Sequence, residues 1–123
     1  MGQKPATVKQ LREATIAIRA LLDGGQLDLT LARNAKLRHS KNSSDRPPIW
    51  ISAQGPKTLR MAGQIADGVF IRVGTHPRNQ SKAIEQVYLG AKDVGRQPGD
   101  VKIAAIFHTI LDDNEARLSL IHI

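Results

Sequence analysis

Apolar positions along the chain alternate between two periods, and the switches mark its elements. Thr7-Val8-Lys9-Gln10 has the form of a capping box, and Val8, Leu11, Thr15, Ile18 and Leu22 then recur at helical spacing until Gly24-Gly25 supplies a stop. This predicts an opening helix. Residues 26–48 follow as a polar, irregular stretch with a short extended piece around 27–31, and they read as a long basic loop. Ile49-Trp50-Ile51-Ser52-Ala53, apolar and bounded by Pro-Pro and Gly-Pro, reads as a buried strand. Pro56 suits the first turn of a helix, and Leu59, Ala62, Gly63 and Ala66 form a narrow stripe of small residues that demands close packing.

A second apolar run, Gly68-Val69-Phe70-Ile71-Arg72-Val73, predicts a strand. The turn Gly74-Thr75-His76-Pro77 then opens a helix whose face is drawn from Ile84, Val87, Tyr88 and Ala91 and whose end is marked by Gly95 and Gln97-Pro98-Gly99-Asp100. Residues 101–110 are the third strand candidate. Asp112-Asp113-Asn114-Glu115 reads as an N-cap with a helix barely begun. Strands alternating with helices imply βαβ units and a parallel sheet. Three such strands make a poor free-standing domain, and a complete (β/α) barrel needs about 250 residues. The fold class expected is therefore α/β, a partial (β/α)8 barrel, with residues 1–123 forming one incomplete domain.

Composition narrows the chemistry. Cysteine is absent, which excludes disulfides, thiolate metal sites and Cys nucleophiles. The four histidines, His39, His76, His108 and His122, lack ligand spacing, and neither a Walker loop nor a Gly-x-Gly-x-x-Gly fingerprint occurs. No signal-peptide or membrane-spanning run is present, so a cytoplasmic location and no membrane partner are expected. The net charge of +7 attracts anions, and much of it lies in residues 33–46, where five Lys and Arg face the single acid Asp45. A small basic module for nucleic acid or another anionic partner is the rival reading. Trp50 inside a strand and Tyr88 on a helix face argue against nucleic acid, because neither offers an exposed stacking platform.

The run Pro-Ile-Trp-Ile-Ser-Ala-Gln-Gly-Pro-Lys from Pro48 to Lys57, with Leu59, Ala62-Gly63 and Ala66-Asp67-Gly68, resembles a signature of the luciferase-like monooxygenase family. It is most similar to the branch of methylenetetrahydromethanopterin reductase and related deazaflavin-dependent enzymes. The segments 33–38 and 95–98 resemble that family too, whereas residues 117–123 depart from it. The resemblance implies that the three strands are the sixth, seventh and eighth of the barrel. It also implies a fragment, inactive alone, of an oxidoreductase that uses a deazaflavin coenzyme or FMN for hydride transfer or monooxygenation of an organic substrate, with a homodimer as one assembly open to the complete enzyme.

In a parallel barrel the active site lies at the C-terminal ends of the strands, which nominates residues 52–55, 72–75 and 107–110. A small-residue turn ahead of a helix lets backbone N–H groups approach an anion or a flat ring. The resemblance makes Ser52, Ala53, Gln54 and Gly55 cofactor contacts, although Ser52 and Gln54 stand where Ala and Ser or Asn are common in the family. Arg72, Gly74 and Thr75 are expected to hold the phosphate or the tail, and a guanidinium suits that task. Catalytic acids and bases of such enzymes lie mostly on the earlier strands, so no catalytic residue is assigned. His108 ends the third strand candidate and is open to a place facing the pocket, the core or rim being the expected position, and Asp67 is expected at the helix-to-strand turn on the barrel's stability face.

Overall fold

A computed structural model describes residues 2, 4–29, 32–37 and 46–119. Helix α1 spans Val8–Leu22 and begins in the predicted capping box: the Gln10 N–H donates to Thr7 Oγ1 at 3.2 Å, and the Thr7 N–H donates to Gln10 Oε1 at 2.8 Å. Its buried side is narrower than its apolar pattern, because Ile18 stays half exposed while Thr15 is buried. Burial of that hydroxyl is tolerated because it donates to the Leu11 carbonyl one turn back.

The stretch expected to be an irregular loop contains an antiparallel ladder, β1 (Leu27–Leu29) with β2 (Ala32–Ala35). Polar side chains masked it: Asp28 accepts the N–H of Asn34, whose positive φ of 53° lies within β2, in a ladder whose register shifts between Leu27 and Leu29. Of the basic run, residues 38–45 lie outside the described residues, and Arg46 is tied to Asp23 at 3.1 Å.

Strands β3 (Trp50–Ala53), β4 (Gly68–Ile71) and β5 (Lys102–Ala105) form a parallel sheet in that order. The last is shorter than residues 101–110 suggested. Beyond Ala105 one more ladder bond forms, from the Ile106 N–H to the Ile71 carbonyl, and the apolar residues that follow are exposed. Helices α2 (Pro56–Ile65) and α3 (Pro77–Asp93) connect the strands, and α4 (Glu115–Ser119) opens on Asn114, whose side chain accepts the Ala116 N–H. Alternation along each strand sends Ile51, Ala53, Val69 and Ile71 into a core shared with Leu59, Ala62 and Ala66 of α2 and Ala83, Val87 and Ala91 of α3. Tyr88, expected on the packed face of α3, is exposed. Gly90 takes the place on that face.

Gly90 is there because the two helices nearly touch backbone to backbone. A Cβ on Gly63 would stand 2.1 Å from the Val87 carbonyl oxygen, and one on Gly90 would stand 2.0 Å from that of Arg60. The stripe of small residues in α2 is thus matched by a glycine in α3. Around this contact Arg60 grips Asp93 through two hydrogen bonds of 2.7 and 2.9 Å. Gln64 donates to the same carboxylate and accepts from Arg12 of α1. The carboxyl of Asp93 is lowered to about 2, chiefly by the hydrogen bond from Arg60. Arginines also close the C-terminal end of α2, where free carbonyls carry partial negative charge: Arg96 donates to Gly63 and Ala66, and Arg19 donates to Ile65.

The other sheet face carries Trp50 and Phe70, their ring centroids 4.8 Å apart and tilted by 36°. The indole lies over Gly68, where a Cβ would meet ring carbons at 2.4 Å.

Candidate functional site at the strand ends

Parallel register delivers three chain segments to one edge. The Arg72 N–H donates to the Ala53 carbonyl at 3.1 Å and the Ile106 N–H to the Ile71 carbonyl at 3.1 Å, so Gln54, Arg72 and Ile106 continue the ladder side by side. A cleft of about 390 Å³ opens there, lined by Gln54, Arg72, Gly74, Thr75, Ile106, Phe107 and His108. A second, of about 680 Å³, lies toward the helices and shares Gln54, Arg72 and Gly74 while adding Pro56, Asn79, Lys82 and Glu85. A larger groove, about 740 Å³, runs along the outer side of α3 past Ile84, Tyr88 and Arg96, away from the C-terminal strand ends. Active-site chemistry in parallel α/β folds sits at the strand ends, so the first two clefts are the candidates.

Local structure fixes the rim. Gly74 has a φ of +77°, a conformation that other residues adopt at a cost, and the Gln80 side chain pins its carbonyl at 3.2 Å. His76 caps α3 by accepting the Arg78 N–H on Nδ1. Gly55 caps α2 without any side-chain hydrogen bond, and open space surrounds the position of its missing Cβ. Arg72 is exposed and has no acid within 4.0 Å among the described residues. Among the described residues the one polar contact of its guanidinium is with His108 Nε2, at 3.5 Å.

The structure therefore brings Gln54, Arg72, Gly74 and Thr75 together. Ser52 is exposed on the open sheet face, opposite Phe70 in register, one step back from the cleft. Ala53 is 2% exposed, its methyl packs in the core and its carbonyl accepts the Arg72 N–H, so its side chain lines neither cleft. Gly55 borders neither cleft directly. Of the loop 107–110, Phe107 and His108 line the smaller cleft, His108 in the pocket-facing place that the sequence left open to it. Strand direction alone could not select them, because the chain leaves the ladder at Ile106. His108 is at the exposed rim, not in the core.

Asp67 lies at the opposite end of the sheet, as the helix-to-strand turn required. Burial pushes its carboxyl up, but the Ile49 N–H at 2.8 Å, the two Arg19 donors at 3.2 Å and the nearby positive charge of Arg19 and Arg46 outweigh burial, leaving it below its ordinary value. Among the described residues no group of three His, Cys, Asp or Glu gathers as a metal site needs, and no helix is long and apolar enough to cross a membrane.

Parallel βα units with a polar cleft at the strand ends define part of a (β/α) barrel. The model of the luciferase-like monooxygenase family matches residues 1–119, and the chain belongs to that family. It is 34% identical over 110 residues to the 5,10-methylenetetrahydromethanopterin reductase of Methanolobus tindarius, covering 86% of this chain and 32% of the relative. To the reductase of the same name from Methanopyrus kandleri it is 33% identical over 119 residues, covering 90% of this chain and 32% of the relative. The solved coenzyme F420-dependent tetrahydromethanopterin reductase of Methanopyrus kandleri superposes with a TM-score of 0.66 at 28% identity, covering 84% of this chain and 30% of that one. An F420-dependent secondary alcohol dehydrogenase in complex with an F420-acetone adduct superposes at 0.70 with 22% identity, covering 85% and 34%, a likeness of fold. The chain spans about a third of the length of the curated relatives it matches.

Proposed function

We propose that this chain is the part of a deazaflavin-dependent (β/α)-barrel oxidoreductase that holds the coenzyme at the last three strand ends. The carrying observation is the convergence of Gln54, Arg72, Gly74 and Thr75 on one cleft, in a chain whose relatives and whose 28%-identical structural neighbour include reductases of the F420-dependent kind. The donor set suits such a coenzyme. The Gln54 amide and Thr75 hydroxyl both donate and accept, as the polar edge of a flat ring requires, and Arg72 offers an uncommitted fork to an acidic tail. Gly74 keeps the rim free of a side chain, and the uncapped first turn of α2 leaves N–H groups for an anion. Bound there, the deazaflavin would give or take a hydride. This chain's residues would orient it and fix its charge. FMN fits the same donors, and the relatives favour deazaflavin over it.

Fluorescence titration of the chain with the deazaflavin coenzyme and with FMN tests the reading. Tighter binding of deazaflavin, by on the order of tenfold or about 1.4 kcal/mol, is expected. Preference for FMN would reverse the cofactor assignment, and failure of both to bind would remove the reading. Gly55→Leu is expected to weaken deazaflavin binding severalfold without unfolding the chain, because its side chain would project into open space rather than into the core. Unchanged affinity would remove the β3–α2 turn from the site.

A further inference from the structure

We propose that Gln80 is a positioning residue of the strand-end site: its side chain fixes the Gly74–Thr75 peptide, and through that peptide it sets how tightly the site holds the coenzyme. The inference rests on the preceding reading and adds to it a residue of α3 that lines neither cleft. The turn between β4 and α3 is fastened at both ends. Val73 packs against the core, and His76 is bound into the helix, its carbonyl accepting the Asn79 and Gln80 N–H groups and its Nδ1 accepting that of Arg78. Between these anchors Gly74 and Thr75 have one hydrogen-bonded tie among the described residues, the bond of 3.2 Å from Gln80 Nε2 to the Gly74 carbonyl.

That bond orients more than its own acceptor. A peptide unit is planar and trans, so its N–H points opposite to its carbonyl. With the Gly74 carbonyl drawn toward α3, the Thr75 N–H is turned away from that helix, and no residue of α3 lines the smaller cleft. Among the described residues this N–H donates to no protein acceptor. Gln80 thus holds a backbone donor in place for an acceptor oxygen of the coenzyme. Gly74 makes the clamp necessary: it stands at a φ of +77°, and without a Cβ it reaches the competing conformations as readily.

Gln80→Met keeps the length and the helix propensity of the side chain and removes the donor. By 15N relaxation, the order parameters of Gly74 and Thr75 are expected to fall from about 0.85 to below about 0.6, while those of Val73 and the rest of α3 hold. Titrated with the deazaflavin coenzyme, the same variant should bind about fivefold more weakly than the parent, as loss of one neutral hydrogen bond implies. Ser81→Ala, one residue further on and facing the outer groove, should change neither. A merely structural role would loosen α3 as a whole and single out neither Gly74 nor Thr75.

Order at Gly74 and Thr75 that survives Gln80→Met would overturn the clamp, and so would a loss on Ser81→Ala equal to that on Gln80→Met. A loosened turn with unchanged coenzyme affinity would overturn its bearing on the site. If the parent itself binds no deazaflavin, the coenzyme reading falls, and the clamp on the rim is decided by the order parameters alone.

Discussion

Replacing Gly90 by alanine is expected to destabilise the chain by about 3 kcal/mol, although intrinsic helix propensity alone calls for a gain of about 1 kcal/mol. The two effects have opposite signs, so the result decides between them. Gly90 lies inside α3, where alanine is the better helix former, but its Cβ would come within 2.0 Å of the Arg60 carbonyl oxygen. That atom is backbone and cannot rotate away. The helices must separate, and separation opens gaps around Ala62, Val87 and Ala91 and strains the grip of Arg60 on Asp93. Urea denaturation would show a lowered midpoint, with a melting temperature down by on the order of 10 °C. Gly63→Ala should behave alike, since its Cβ would stand 2.1 Å from the Val87 carbonyl oxygen. The double variant should cost less than the sum, because one substitution already parts the helices. A Gly90→Ala chain more stable than the parent would mean that α2 and α3 do not approach so closely in solution.

That contact illustrates what the sequence made legible. The stripe Leu59, Ala62, Gly63 and Ala66 announced a helix that packs closely, because small residues at helical spacing have few other uses. Its partner was obscure, because Gly90 in an otherwise regular helix is read locally as a cost and its benefit is across the interface. The βαβ order, the Thr7 capping box and Pro56 and Pro77 as helix openers were legible because each is decided by neighbours a few residues away. Tyr88 was misplaced for the opposite reason: helical spacing puts it beside Val87 and Ala91, and the packed face centres instead on Ala83, Val87, Gly90 and Ala91, which leaves Tyr88 lining the outer groove, a tertiary property.

The site followed the same division. Arg72, Gly74 and Thr75 could be chosen because strand direction dictates which ends meet. Alternation within the strand was the available signal that the Ala53 side chain faces the core, since Ile51 and Ala53 must share that face. His108 was harder, because β5 stops at Ala105 and its strand-like composition continues to Ile110. Beyond that ladder no periodicity says where a side chain goes. The strand residues Trp50 and Phe70 read as core in sequence and pair on the sheet face away from α2 and α3, Phe70 being 36% exposed. In a chain about a third the length of its relatives, a barrel-facing surface has this composition without the strands that would cover it.

Asp67→Asn is expected to destabilise the chain by about 2 kcal/mol at neutral pH, with a dependence on acidity that separates charge from shape. The carboxylate ties three elements at the N-terminal edge of the sheet. It accepts from Ile49 ahead of β3 and from Arg19 of α1, while its own backbone pairs with Ile49 and with Lys102 of β5. An asparagine amide keeps the size and offers one oxygen, but its NH2 must face donors already there. Since the folded carboxyl is held below its ordinary value of about 3.9, its contribution is complete above that pH and is lost as pH falls through the lower folded value. Asp93 acts in the same window, lowered to about 2 by Arg60, so the acid sensitivity of the parent alone is ambiguous. The difference between parent and Asp67→Asn removes that shared part. Measured by urea unfolding from pH 7 to pH 3, the gap should hold down to about pH 4 and narrow below it. A gap that stayed constant to pH 3 would assign the anchor to packing and hydrogen-bond geometry, and the charge of Asp67 would carry none of it.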